Sequence, residues 1–161
     1  MPLTPVLRRA LGAAVAVAVA VAVAVAAAVS LSGCGSSDVT RPRLEASLAP
    51  TFANLFVHQQ TDIYGRSGAT AASVAAHASC DKGGPKVADH GPGADWICMV
   101  TYHDETGTAQ KGKFELQAKS NSCYTAVGPS KLIGLVTITD KAGTDVPNPV
   151  FEFDGCFDPR A

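Results

Sequence analysis

Beyond its amino-terminal segment the chain predicts an α+β domain: one N-terminal amphipathic helix packed on a small antiparallel β-sheet, with two disulfides. Three observations carry that expectation. Apolar residues recur at helical spacing once, between residues 50 and 65. Apolar and polar residues alternate in several later segments, as half-buried strands require. Four cysteines, Cys80, Cys98, Cys123 and Cys156, are spread along that strand-rich part.

The first 33 residues differ in composition from the rest. Arg8 and Arg9 are the only charges before residues 10–31, which are almost wholly Ala and Val. That run is long enough to cross a bilayer core of about 30 Å as a helix. Its Val-Ala alternation offers no wet face, because both residue types are apolar. A positive start, an apolar run and then small residues make the pattern of an export signal.

At the end of the run, Leu31, Ser32, Gly33 and Cys34 resemble the lipobox of bacterial lipoproteins at all four positions. The resemblance implies removal of residues 1–33 and a lipid on Cys34, with acyl chains such as palmitate. The membrane is then a partner through that lipid, and the domain sits at the extracytoplasmic face of the cell membrane. Each buried CH₂ contributes about 0.8 kcal/mol, so two chains hold where one only visits. An uncleaved transmembrane anchor is the alternative, and it too leaves the domain outside. Arg8 and Arg9 suggest twin-arginine export, but the flanking Leu7 and Ala10 depart from that pattern.

The chain from Cys34 onward suits one domain. Without Arg8 and Arg9 the 13 basic residues become 11 against 14 acidic ones, which leaves no basic face for nucleic acid. The Ala, Val and Gly content is that of a GC-rich genome. The layout resembles the small disulfide-containing α+β domains carried by actinobacterial lipoproteins.

Residues 34–49 read as the lipidated cysteine and a flexible tether, rich in Ser and Gly, with the domain over 50–161. Pro50 falls in the first turn of the predicted helix. Phe52, Leu55, Phe56 and Ile63 share its apolar face, and Gly65 ends it. Residues 71–78 are Ala-rich and suit a helix on propensity and a strand on alternation; Val74, Ala76, Ala78 and Cys80 alternate with Ser73, His77 and Ser79, so a strand is expected.

Trp96, Cys98, Val100 and Tyr102 share a strand face, as do Phe114 and Leu116, around a Glu105-Thr106-Gly107 turn. Residues 132–139 and 150–154 predict a second hairpin, with Pro147 and Pro149 placing the latter strand near an edge. The aromatic residues Phe52, Phe56, Trp96, Tyr102, Phe114, Phe151 and Phe153 fit a core. A single helix need not cover a whole sheet face, which leaves room for a groove.

An even set of cysteines in an exported chain is the arithmetic of a disulfide framework, whereas zinc sites bring cysteines in close pairs. Four cysteines allow three pairings. Cys80 with Cys98 and Cys123 with Cys156 are favoured, because hairpins bring such strands together.

Hydrolase, metalloprotease, phosphate-loop and thiol-exchange motifs are absent from the sequence. Ser79-Cys80-Asp81-Lys82 has the S-x-x-K spacing of penicillin-binding enzymes, and Lys141-Ala142-Gly143 faintly matches their third motif. That mechanism needs Ser and Lys on one helical turn of a much larger domain. His77, His90 and His103 are candidate metal ligands only if the fold brings them together; His58 lies on the polar side of the helix. No cofactor is expected. The functions expected are, in order, a binding or interaction module of the cell envelope, a small-ligand or metal carrier, and an enzyme of unrecognised type.

Overall fold

The computed structural model describes residues 39–157. The expected signal segment, Cys34 and the first part of the tether lie outside the described residues.

Helix α1, Arg41–His58, is the first element. Leu44, Leu48, Phe52 and Phe56 follow one another at intervals of four, and all are buried on one stripe with Ala53. Pro42 lies in the first turn, where a missing N–H leaves no bond unmade. The helix therefore starts at Arg41 and not near Pro50, and the second half of the expected tether is core-forming helix. Pro50 instead sits mid-helix on the exposed flank. There it removes only the bond that its N–H would have made to Ala46.

The helix ends in one wide turn, Gln59–Ile63, closed by a bond from the Tyr64 N–H to the Gln59 carbonyl of 3.0 Å. The extra residue in that turn lets two consecutive side chains, Gln59 and Gln60, both point inward and be buried.

Helix α2, Ala71–Val74, occupies the first half of the expected strand. Thr70 and Ser73 cap it reciprocally, each side chain bonding the other's backbone N–H. Ala75 then ends it with a left-handed backbone, φ 48°. Alanine propensity and the cap thus decide residues 71–74, and alternation takes over in β1, His77–Lys82.

Strands β2, Gly93–His103, and β3, Ala109–Ala118, form the predicted hairpin. β4, Cys123–Val127, follows, then the single-turn helix α3, Ser130–Ile133, the short strands β5, Thr137–Thr139, and β6, Asp145–Pro147, and finally β7, Glu152–Cys156. The main sheet is antiparallel in the order β1-β2-β3-β4-β7. β7 lies at its edge, in keeping with the two prolines before it.

The second expected hairpin is wrong in its partners. β5 pairs with β6 in a separate ribbon, and β7 pairs with β4. The cause is a turn that occurs twice in nearly the same letters. At Asp104 to Thr108, the Asp104 carboxylate accepts the backbone N–H groups of Thr106 and Thr108, and Gly107 takes φ 80°. At Asp140 to Thr144, Asp140 accepts those of Ala142 and Thr144, and Gly143 takes φ 83°. Each is a D-x-x-G-T hairpin turn, with glycine where the positive φ demands it.

The inner sheet face presents Cys80, Trp96, Cys98, Val100, Tyr102, Phe114, Leu116 and Tyr124 to the stripe of α1, all buried. Phe52 lies at the centre, with its ring 4.8 Å from that of Tyr102 and 5.4 Å from that of Phe114. Among the described residues no helix is long and apolar enough to cross a membrane.

Both favoured disulfides are present, Cys80–Cys98 and Cys123–Cys156. Each joins directly opposed residues and ties an edge strand to its inner neighbour. α1 reaches both edges as well. Glu45 accepts a bond from the Cys80 N–H at 2.7 Å, and the Ser47 hydroxyl bonds the Cys156 carbonyl at 3.1 Å. Positions two apart on a helix point about 200° apart, so the two contacts leave α1 from opposite flanks.

Candidate functional site

The end of α1 meets the β2–β3 turn and α3 around a pocket of about 320 Å³. Its polar floor begins with the two inward glutamines. The Gln60 amide donates to Gln59 Oε1 at 3.0 Å, and the Gln59 amide donates to Asn148 Oδ1 at 2.8 Å and to the Ile133 carbonyl at 3.1 Å. Arg66 donates to Gln60 Oε1 at 2.8 Å and pairs with Glu105 at 3.0 Å. Buried amides are tolerated here because each has partners, and such a network fixes the geometry around it.

The network also holds the chain after α3. Asn148 donates to the carbonyls of Ile133 and Leu135, at 2.8 and 2.9 Å, and its own N–H reaches the Val136 carbonyl. Ile133 is buried under this clasp, while Leu132, Leu135 and Val136 stand outward, the last two 68% and 57% exposed.

Tyr102 forms another wall. Its ring is packed against Phe52 and Phe56 and the residue is 3% exposed, yet among the described residues its hydroxyl has no hydrogen-bond partner. Burial first, and then the charges of Asp104 and Glu105, push this phenol up to about 12, so it stays protonated. Asp104 is the opposite case. Bonds from the Thr106 and Gln110 side chains, reinforced by backbone N–H groups of the turn, hold its carboxyl down at about 2. Lys131 lies on the facing wall and makes no ion pair among the described residues.

The histidine candidates do not converge. His77 and His103 line one shallow depression on the outer sheet face with Thr101 and Lys111. His90 sits instead in the loop bridged to Thr40. Among the described residues no three His, Cys, Asp or Glu side chains are grouped to hold a metal. The S-x-x-K residues do not assemble either: Ser79 and Lys82 are three apart on β1 and so point to opposite faces. The Lys82 ammonium bonds the carbonyls of His90 and Pro92.

Sequence reasoning missed Gln59, Gln60, Arg66, Gln110 and Asn148, and placed Tyr102 among the aromatic residues that favour a core over a pocket. Polar residues inside a helical repeat carry no periodic signal, and the wide turn that buries both glutamines has none. A third concavity, apolar and about 530 Å³, runs along the flank of α1 between Pro42, Ala46, Pro50 and Phe157. Comparison of the chain with protein families, curated proteins and solved structures finds no match.

Proposed function

We propose that the chain is a lipid-anchored binding module of the cell envelope, held at the outer face of the cell membrane through Cys34. The Leu31-Ser32-Gly33-Cys34 pattern supports the anchor, and the two disulfides fit an oxidising, extracytoplasmic setting. The observation that carries the binding role is the apolar projection of Leu132, Leu135 and Val136 on a backbone clasped by Gln59 and Asn148. Exposing these side chains brings no folding energy, whereas covering them by a partner removes apolar area from water at about 25 cal/mol per Å².

The test is a photoreactive amino acid placed at Leu135 in cells, with mass spectrometry of the mature amino terminus alongside. The expected result is a discrete cross-link to an envelope protein, lost when Val136→Ser is added, on a chain that begins at diacylated Cys34. An unmodified terminus refutes the anchor; a diacylated chain without any specific cross-link refutes the binding surface.

A small-ligand role has its own observation, the pocket beside that surface.

A further inference from the structure

We propose that the pocket bounded by Gln60, Tyr102, Asp104, Gln110 and Lys131 binds a small neutral, hydroxylated ligand of about one sugar ring. This goes beyond the apolar binding surface and does not depend on it or on the lipid anchor. Four features argue for it.

The first is the Tyr102 hydroxyl. A phenol on a residue 97% withdrawn from solvent ordinarily finds a partner, and this one has none among the described residues. Its oxygen is not one of the sealed side-chain atoms that lack a bond, so it keeps an opening. Tyr102 lines the pocket beside Phe56, Gln60 and Gln110.

The second is charge. Arg66, Lys131, Asp104 and Glu105 on the pocket wall cancel in sign, and Arg66 is already paired with Glu105. An anion meets two carboxylates and a cation meets two basic groups, so a ligand without net charge is the one not opposed. The third is hydrogen-bond capacity. Among the described residues Gln60 uses one amide hydrogen, on Gln59, and Gln110 uses one, on Asp104, which leaves each a further hydrogen and Gln110 its oxygen. With the phenol, which both donates and accepts, the wall offers mixed donors and acceptors at close range. Hydroxyl groups match that mixture, since each can do either.

The fourth is size. The volume of about 320 Å³ is at the small end of ligand sites, too small for a chain of rings. The site is also preformed, because the Asn148–Gln59–Gln60–Arg66 network fixes it without a ligand.

The test uses the purified full-length chain in a detergent without sugar groups, followed by amide NMR. The neutral probes are glucose, galactose, mannose and N-acetylglucosamine; the charged probes are phosphate, glutamate and lysine. We expect saturable shifts at Gln60, Tyr102 and Gln110 with at least one neutral sugar at millimolar concentration. Tyr102→Phe should weaken that binding about tenfold, the loss of one hydrogen bond, with an unchanged melting temperature because the hydroxyl has no partner among the described residues. Leu135→Ser should leave sugar binding intact, which separates this site from the apolar surface. A matched disaccharide that binds more tightly identifies the end of a glycan as the source, and equal binding identifies a free sugar. No sugar-dependent shift at these residues, shifts with charged probes alone, or full binding by the Phe variant overturns the proposal.

Discussion

The two edges of the sheet solve one problem in different ways. β1 and β7 each present a row of backbone groups that could pair with another chain. Each is tied inward by a cross-strand disulfide and outward to α1 by one side chain. At β1 the disulfide is wholly buried beneath the helix, with Cys80 and Cys98 at 1% and 0% exposure, and a carboxylate meets the strand. At β7 Cys156 is exposed, and a hydroxyl meets the strand. The same bond is part of the core on one side and a surface fastening on the other.

Removing each bridge should separate those roles. Loop closure alone ranks the exposed bridge slightly higher, because its loop spans 33 positions against 18; both come to about 3 to 4 kcal/mol in the chain-entropy model. Burial reverses the order. Cys80→Ala with Cys98→Ala also empties core volume, so urea unfolding should show a loss of about 5 kcal/mol, against about 3.5 for Cys123→Ala with Cys156→Ala. A slightly larger loss for Cys123→Ala with Cys156→Ala would mean that loop entropy is the whole effect. Mild thiol should likewise open Cys123–Cys156 first, read by alkylation and mass spectrometry.

Smaller effects are expected from the side chains that meet the edges. Glu45→Ala leaves the partly buried Cys80 N–H unpaired and should lower stability by about 1 to 3 kcal/mol, whereas Ser47→Ala should cost about 0.5. Comparable losses in thermal melts would contradict the asymmetry.

The smallest effect is on pH. A bond from Thr125, then the Lys119 charge, holds the Asp154 carboxyl on β7 below the usual carboxylate range. A lowered folded pKa contributes stability that is present above the ordinary value and lost as pH falls through the folded one. Amide protection factors in β4 and β7 should therefore fall in acid below that range, and Asp154→Asn should abolish this dependence.

Much of the asymmetry is legible in the letters, and the parts that are not have physical reasons. Alternation at residues 96–102 and 114–116 marks the central hairpin, because strands with one wet face write their burial directly. Cysteine parity points to both bridges. The helix start is hidden because Ser, Gly and Pro before residue 44 look like linker, although Val39, Leu44, Leu48 and Phe52 already carry the stripe. Pro42 is the true start signal, and Pro50 imitates it. The β5–β6 ribbon hides in a repeat: the Asp104 turn is partly visible as Glu105-Thr106-Gly107, while its twin at Asp140 is masked by the likeness of Lys141-Ala142-Gly143 to an enzyme motif. Of the candidate site, nothing but the single tyrosine is in view, since Gln59, Asn148 and Gln110 meet only through the fold.

Val39, the first described residue, is 1% exposed and accepts a bond from the Gly91 N–H at 2.7 Å. Cys34 is only five residues earlier, a span of at most about 18 Å when fully extended. A lipid on that cysteine would leave the domain less leash than its own helix is long. Its encounters would then be confined to a thin layer above the bilayer, where two tethered molecules meet at a concentration set by the membrane area and not by the volume around it.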